Sequence, residues 1–420
     1  MVCSYVGPKI AKLAFCVPLA ALASAMLLIL AAQSQAQTFT VLHTFSGPDG
    51  DLPYAGLTLD RAGNLYGTTY EGGAAGFGNV FKLSREGTGW VLTNLYSFRG
   101  GSDGQNPQAR VVFGPDGTLY GTSTYGGNGY GTVFNLRPSA AICRAIQCPW
   151  TETVLYRFMD GTDGGYPQFG DLTFDAAGNI YGTAAYGGDL SCAGGEGCGV
   201  VFKLSRSGGG WTQSVLYAFP GSPESGGVPF SGVTFDSAGN LYGTTFLVNS
   251  TVYELTPSGS GWTQTIVHSL SSDYPIGGLV FDRQGNLYGT TVYGGEGSAG
   301  TVFQLQPSAG NWNFNLLYTW EGGGPGPYDT PTLDAAGNVY GTTSGGYTEF
   351  GGVFKLTPGT DGWTYTDLYD FGDPNLSNGF SPVGGVVLDG NGNLYGTTLE
   401  GGSFNPPCGE GCGVVWEITP

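Results

Sequence analysis

The tripeptide Tyr-Gly-Thr occurs seven times in this 420-residue chain, at intervals of 46 to 61 residues. Its tyrosines are Tyr66, Tyr120, Tyr181, Tyr242, Tyr288, Tyr340 and Tyr395. Self-similarity at such a period indicates an array of equivalent supersecondary units that bury a core only by stacking together. A residue that recurs in every unit usually builds the unit. Functional residues are therefore expected where the units differ.

Each unit contains four short runs of β-forming residues. In the first unit they cover residues 56–60, 65–69, 79–83 and 90–98. Val, Tyr, Phe, Thr and Trp fill the runs, and Gly, Asn, Asp and Pro separate them, as is typical of strands and tight turns. Four strands in about 50 residues match one propeller blade. The sequence predicts an all-β, seven-bladed β-propeller with four strands per blade.

The two ends of the chain complement each other. The propeller region begins with a fourth-strand sequence at residues 38–45 and stops just after a third strand. The seventh blade therefore lacks an outer strand, and residues 38–45 are a spare one. We expect residues 38–45 to pair with 413–419, which closes the ring and leaves no free edge between the first and last blades.

Residues 1–36 have the features of a secretory signal peptide. Lys9 and Lys12 precede an apolar run over residues 13–32, and Ser34-Gln35-Ala36 is a small-x-small cleavage site. Cleavage there leaves residues 37–420 as the propeller domain, secreted or periplasmic. An uncleaved N-terminal membrane anchor is the alternative, because the run approaches the roughly 20 residues that span a bilayer.

Six of the eight cysteines form close pairs in the sequence: Cys143 with Cys148, Cys192 with Cys198, and Cys408 with Cys412. In an exported chain such pairs predict disulfide bonds. Zinc is the competing interpretation, but the spacing is not that of a C-x₂-C site and the chain has only two histidines. His43 and His268 both stand where other units have tyrosine, which indicates a packing role.

The formal net charge is −18, and it becomes −20 without residues 1–36, whose charged side chains are Lys9 and Lys12. Binding to phosphates needs a basic footprint, so we expect no nucleic-acid partner. No helix follows the Gly-Gly pairs, so no nucleotide cofactor is expected either. We predict a monomer without a cofactor. Calcium is the alternative, because it takes several oxygen ligands.

The units resemble the repeat called GloVer of the "choice-of-anchor tandem repeat" family. The resemblance rests on Gly-Asn-Leu-Tyr-Gly-Thr-Thr followed by Val-Phe-Lys-Leu, found almost unchanged at residues 63–83 and 285–305, and it covers residues 38–420. It implies an exported bacterial protein of unassigned function, often with a C-terminal anchor, whereas this chain ends at Ile418-Thr419-Pro420. The phrase Asp-x-x-Gly-Asn-Leu-Tyr is also similar to NHL-type propeller repeats.

Candidate ligand-binding residues lie in the loops from fourth to first strands and from second to third strands. These loops share one face of a propeller. They carry carboxylates beside aromatic residues, a combination that suits glycan binding, and we expect any ligand site to lie around the mouth of the central channel. Clustered carboxylates there should raise one another's pKa. The alternative is that these loops are only turns, with the aromatic residues packed beneath them. The candidates are Asp51, Tyr54, Asp103, Asp163, Tyr166, Glu196, Tyr274, Tyr328 and Glu410.

Three functions remain open from the sequence. The first is a non-catalytic binding or scaffold protein that recognises a glycan or an extracellular protein on this face. The second is a carboxylate-dependent glycoside hydrolase or polysaccharide lyase, since glycoside hydrolysis needs only two acids. The third is a structural envelope or matrix component. The fold alone does not separate them, and no catalytic or metal-binding residues are assigned.

Overall fold

The structure is a computed structural model. It describes residues 37–139, 150–222, 225–247, 249–259, 261–271, 273–322, 324–345, 350–372 and 375–420. The predicted signal peptide and the pair Cys143 and Cys148 lie outside the described residues.

Twenty-eight strands form seven four-stranded sheets, one for each blade. Strand β1 (Thr38–Thr44) precedes the first blade. The strands of the first three blades are β2 (Thr58–Leu59), β3 (Leu65–Thr69), β4 (Asn79–Glu86), β5 (Gly89–Ser97), β6 (Val112–Phe113), β7 (Leu119–Ser123), β8 (Thr132–Pro138), β9 (Trp150–Arg157), β10 (Thr173–Phe174), β11 (Ile180–Ala184), β12 (Val200–Ser207) and β13 (Gly210–Ala218). A 3₁₀ turn at Ala193–Gly195 lies between β11 and β12.

The remaining four blades repeat the same order of a short first strand followed by three longer ones, and the fourth strand of the seventh blade is β1. Their strands are β14 (Thr234–Phe235), β15 (Leu241–Thr245), β16 (Ser250–Ser258), β17 (Gly261–Ser271), β18 (Val280–Phe281), β19 (Leu287–Thr291), β20 (Thr301–Ser308), β21 (Asn311–Thr319), β22 (Thr332–Leu333), β23 (Val339–Thr343), β24 (Gly352–Gly359), β25 (Gly362–Asp370), β26 (Val387–Leu388), β27 (Leu394–Thr398) and β28 (Val414–Thr419). The predicted seven-bladed β-propeller is confirmed.

The second strand of each blade contains the Tyr-Gly-Thr tripeptide and is buried along its whole length. Neighbouring blades cover both sides of this strand. Gly67 shows why glycine follows the tyrosine: a Cβ there would lie 2.5 Å from the ring of Phe81 on the next strand. The repeated motif therefore serves packing, as expected for residues common to every unit.

The acidic residue after each first strand organises a turn. Asp60 accepts hydrogen bonds from the backbone N–H groups of Ala62 and Asn64 and from the hydroxyl of Tyr66. These bonds hold the pKa of Asp60 below its ordinary value although burial opposes them. In the second blade Gly114 replaces this aspartate, and Asp116 accepts the tyrosine hydroxyl instead. The carboxylate thus fixes the turn.

Aromatic pairs join neighbouring blades. The ring that ends each fourth strand packs edge-on against the third strand of the next blade, as Phe98 does with Phe134 at 5.2 Å. Five further interfaces have an aromatic pair at the same place, with centroid separations from 5.1 to 6.0 Å: four edge-on pairs (Phe45–Phe81, Phe158–Phe202, Phe219–Tyr253 and Trp320–Phe354) and the tilted pair Phe371–Trp416. At the remaining interface Leu270 packs in one cluster with Phe303.

Threonine side chains tie the inner strands together around the channel. Thr68 donates to the carbonyl of Ala109 in the next blade at 3.1 Å, and five other blades make the equivalent bond. In the second blade Thr122 Oγ1 is buried and has no partner within the described residues. The loop that it faces has one more residue between Pro167 and Leu172 than its counterparts have. The insertion therefore displaces the carbonyl that Thr122 would use.

The N-terminal strand closes the ring. The seventh sheet has the order β1, β28, β27, β26, and the N–H of Phe45 donates to the carbonyl of Gly413 at 3.0 Å. Arg85 of the first blade also contacts Glu417 of the last at 2.8 Å. The predicted pairing of residues 38–45 with 413–419 is confirmed.

Two of the three predicted disulfides are present. Cys192 is bonded to Cys198 and Cys408 to Cys412, with Cα–Cα distances of 5.5 and 5.1 Å. Each bridge closes a loop between a second and a third strand. In the described part of the chain, no helix has the length and apolar character that a membrane span requires.

Phe45→Ala is expected to lower the free energy of unfolding by about 3 to 5 kcal/mol. Phe45 is fully buried and directly follows the strand that closes the ring. Denaturant unfolding measures the loss. Thr40→Ala, on an exposed position of the same strand, is the control and should change stability by less than about 0.5 kcal/mol. Similar values for the two variants would contradict closure by this strand.

Candidate functional site

The loops that enter the first strands line the mouth of the central channel. A cavity of about 60 Å³ lies there, and six of the seven blades contribute to its wall. Such a volume admits a few water molecules but no sugar ring. A larger ligand would lie across the mouth. The side chains at the wall include Tyr54, Gln108, Phe169, Ile276, Tyr328 and Val383.

Aromatic rings form a continuous series of contacts across this mouth. Tyr54 of the first blade packs edge-on against Tyr70 at 5.3 Å and lies 6.3 Å from Phe169 of the third blade. From Phe169 the series continues with centroid separations of 6.0, 4.7, 5.0 and 5.8 Å through Phe230, Phe246, Tyr274 and Tyr293. Two candidates, Tyr54 and Tyr274, belong to this series.

Tyr328 stands beside the same series. It lines the cavity, and burial raises the pKa of its hydroxyl, with further contributions from Tyr293 and Tyr54. The structure therefore brings Tyr54, Tyr274 and Tyr328 together. At the outer end of the series Tyr293 is 43% exposed, so a ligand can reach it.

An acidic sector adjoins Tyr54. The backbone groups of Asp51 and Glu71 exchange hydrogen bonds at 3.0 Å. Burial raises the pKa of Asp51 to about 6, and the charge of Glu71 adds to the shift. Burial likewise raises the pKa of Glu400, and the charge of the exposed Glu410 adds a smaller contribution in the same direction. Mutual repulsion thus contributes as expected, but burial is the larger cause.

Asp103 and Asp163 are engaged within their own loops. Asp163 accepts hydrogen bonds from the hydroxyl of Tyr156 and the N–H of Met159. Asp103 accepts the same two kinds of bond from Tyr96 and Arg99. These two carboxylates hold the turns in place, and the sequence pattern alone did not distinguish them from Asp51.

Both histidines occupy packing positions. His43 replaces the tyrosine of other blades and keeps the bond to the loop carboxylate, with Nε2 2.8 Å from Asp49 Oδ2. His268 stacks on Phe314 at 4.0 Å, and burial lowers its pKa.

Tyr166 belongs to a second aromatic group. Its ring contacts those of Tyr125, Tyr130 and Tyr186 at 5.6 to 5.8 Å. Burial raises the pKa of Tyr166, and the charges of Asp160 and Glu196 contribute. Glu196 itself is exposed, in the loop that the bridge from Cys192 to Cys198 closes. This group lies beside the second and third blades.

Three charged residues of the channel were missed by the sequence analysis. Arg110 pairs with Asp171 through Nε and Nη2, and the charge of Asp171 raises the pKa of Arg110. Asp329 of the sixth blade lies near this ion pair, and its carboxylate accepts a hydrogen bond from the backbone N–H of Gly385 at 2.6 Å. The signal was present in the sequence, because most other units have an uncharged small residue at these positions, as at Gly232 and Gly385.

Among the described residues, no group of three or more His, Cys, Asp or Glu side chains could hold a metal ion.

A model of the Gloeobacter/Verrucomicrobia repeat matches residues 28–248 and 247–420. The chain belongs to this repeat family. The family resemblance predicted from residues 63–83 and 285–305 is confirmed. No curated protein matches the sequence of this Gloeobacter/Verrucomicrobia repeat protein.

Several solved structures are similar in fold. PorZ, a surface component of the type-IX secretion system of Porphyromonas gingivalis, is 15% identical with a TM-score of 0.52, and the match covers 89% of this chain and 47% of PorZ. This chain thus spans about half the length of PorZ. A putative 6-phosphogluconolactonase from Bacteroides uniformis is 17% identical (TM-score 0.50; coverage 79% and 88%), and an ulvan lyase of family PL25 is 9% identical (TM-score 0.50; coverage 88% and 94%). At these identities the similarity concerns the fold alone.

Asp51→Asn is expected to stabilise the protein at pH 7.5 by about 1 kcal/mol and to have little effect at pH 4. The folded-state pKa of about 6 exceeds the ordinary value of 3.8. As pH rises between these values the unfolded state loses its proton first, so the unmodified protein loses stability over this window. The side chain is half exposed, and solvent screening keeps the effect small.

Denaturant unfolding from pH 4 to 7.5 measures this difference. Asp163→Asn is the matched control, since its carboxylate accepts hydrogen bonds, and its replacement should destabilise by about 1 kcal/mol. A destabilising effect of Asp51→Asn at pH 7.5 would show that the ionised carboxylate of Asp51 does not destabilise the folded protein.

Proposed function

We propose that this Gloeobacter/Verrucomicrobia repeat protein is an exported, non-catalytic binding protein that recognises a glycan across the mouth of its channel. The observation that carries the proposal is the continuous series of aromatic rings from Tyr70 to Tyr293. Aromatic rings offer flat apolar faces with a polar edge at tyrosine, which suits the apolar faces and hydroxyl edges of sugars.

The charges of the face favour a neutral or amine-bearing glycan. Asp51, Glu71 and Glu400 lie on one side of Tyr54, whose pKa is raised by burial and then by the charges of Glu400 and Glu71. Carboxylates accept hydrogen bonds from sugar hydroxyls and attract ammonium groups. They repel uronate and sulfate groups, as does a net charge of −18.

Export is the second part of the proposal. The apolar run at residues 13–32 has the composition of a signal peptide, and two disulfides are features of proteins that mature in an oxidising compartment. We place the protein in the periplasm or outside the cell, as a monomer, with an uncleaved anchor as the alternative.

A carboxylate-dependent glycoside hydrolase or lyase is the second candidate. It is favoured by Asp51, because a general acid needs a raised pKa and a nearby second carboxylate. The 60 Å³ cavity gives no enclosed position for a glycosidic bond, which ranks this candidate below binding. An extracellular protein as the ligand and a structural role in the envelope or matrix are the remaining candidates.

A glycan array run beside a reducing-sugar release assay tests the proposal. We expect binding of neutral or amine-bearing glycans without release of reducing ends. Tyr54→Ala and Tyr274→Ala together should weaken that binding at least tenfold, because two rings of the series are lost. Phe404→Ala, an exposed aromatic residue in the loop that leads to the Cys408–Cys412 bridge, should leave the affinity unchanged.

The same assays separate the candidate functions. Sugar release that Asp51→Asn abolishes would establish catalysis in place of binding. Glycan binding that survives the loss of Tyr54 and Tyr274 would place the ligand elsewhere. An array without any glycan bound would reject glycan recognition.

A further inference from the structure

Grooves between neighbouring blades open on the face opposite the channel mouth. Six of them are bounded by the tyrosine of one blade and by a tryptophan of the next, as in the contact of Tyr395 with Trp90 at 6.1 Å. The groove between the sixth and seventh blades has no such tryptophan, because β1 contains none. In several grooves a cation of this chain lies over one of the rings. Three of these cations are ammonium groups 5.2 to 5.6 Å from the tyrosine centroids: Lys82 over Tyr66, Lys203 over Tyr181 and Lys355 over Tyr340.

Arg85 fills the groove between the seventh and first blades. Its guanidinium lies 4.8 Å from the ring of Trp90, and its Nη2 donates to Glu417 Oε1 at 2.8 Å. The side chain of Glu417 is 8% exposed and also accepts the hydroxyl of Tyr395 at 2.7 Å. One tryptophan, one tyrosine and one buried glutamate thus form an arginine site.

Arg206 shows that the arrangement recurs. Its guanidinium lies 4.9 Å from the ring of Trp211 in the third blade, and Trp211 packs against the cluster that contains Tyr120 of the second blade. The groove between blades therefore accepts a guanidinium at two separate places in the ring.

The groove between the fourth and fifth blades has the same wall. Glu254 faces Tyr242 in the strand register, as Glu417 faces Tyr395 at the ring closure. Burial raises the pKa of Tyr242, and the neighbouring carboxylate of Glu254 adds to the shift. The ring of Tyr242 lies 5.8 Å from that of Trp312. The aromatic pair and the glutamate of the Arg85 site are both present.

The two grooves differ in the residue that stands opposite the tryptophan. Pro307 stands opposite Trp312, where Arg85 stands opposite Trp90. Proline is shorter and uncharged, and a cavity of about 420 Å³ lies in this groove. Within the described residues, no lysine or arginine lies within ion-pair distance of Glu254.

We propose that this groove binds the guanidinium group of an arginine presented by a partner protein. The partner's arginine would stack on Trp312 and donate to Glu254, as Arg85 does with Trp90 and Glu417. An arginine is favoured over a lysine because the planar guanidinium stacks on a ring while its N–H groups remain free to bond a carboxylate.

The charges that line the cavity favour a cationic peptide. Asp236 and Asp282 line it, and these two carboxylates outnumber its one arginine, the exposed Arg283. Arg283 and Gln284 separate this groove from a second cavity of about 540 Å³ between the fifth and sixth blades. An extended peptide can therefore lie across both grooves, with its arginine in the first.

The test uses short peptides and calorimetric titration of the mature protein at low salt. The probes are acetyl-Gly-Ser-Arg-Ser-Gly amide and the same peptide with lysine or citrulline in place of arginine. We expect the arginine peptide to bind at least tenfold more tightly than either of the others. Citrulline keeps the shape of arginine but carries no charge.

Variants locate the site. Glu254→Gln should weaken binding at least tenfold, and Pro307→Arg should abolish it by filling the groove from within. An arginine opposite the tryptophan occurs naturally in the first and third blades, so this variant should fold. Pro257→Arg makes the same change in the fourth blade, next to the groove that contains Lys203, and should leave binding unchanged.

Equal binding of the lysine or citrulline peptide would overturn the assignment of a guanidinium site. So would an unchanged affinity in Glu254→Gln or Pro307→Arg, or no binding at about 10 mM peptide. The groove shares no residue with the channel mouth, so loss of glycan binding by the Tyr54 variants does not bear on it.

Discussion

The ring of blades depends on aromatic contacts that cross each interface, with a leucine in place of one ring at a single interface. A ring from the end of a fourth strand packs edge-on against the third strand of the next blade, as Phe45 does against Phe81. No blade buries its core alone, because both sides of its second strand need a neighbour. Closure by β1 is therefore required of the fold as a whole: without it, the first and last blades would each leave an aromatic ring exposed.

Most of the repeated residues are used for packing and hydrogen bonding inside the propeller. The tyrosine, glycine and threonine of each unit, and the turn aspartates such as Asp60, are occupied by bonds and contacts within or between blades. Residues available to bind a ligand are therefore found where a unit departs from the repeated pattern. An inserted residue beside Asp171 brings an ion pair into the channel, and Pro307 leaves a groove without the arginine that fills its counterpart.

The two faces consequently differ in chemistry. The channel mouth joins aromatic rings from four blades to carboxylates near Tyr54, with Asp51 held at a raised pKa by burial. The opposite face has separate grooves in which cations of this chain lie over aromatic rings. A shallow aromatic surface favours an extended sugar chain, whereas a groove with a half-buried carboxylate such as Glu254 favours a single cationic group.

The sequence by itself determined the number of blades, the four strands in each, the closing strand and the cysteine pairs Cys192–Cys198 and Cys408–Cys412. These follow from periodicity and from turn residues, which act over a few positions. It also indicated which face carries variable loops. Only the tertiary structure decided that Asp103 and Asp163 are engaged in their turns, that Tyr166 belongs to a separate group from Tyr54, and that Arg110 meets Asp171. It also decided that Tyr242 of the fourth blade meets Trp312 of the fifth. Residues of different blades come into contact only because the ring closes, and the local sequence pattern does not predict the distances between them.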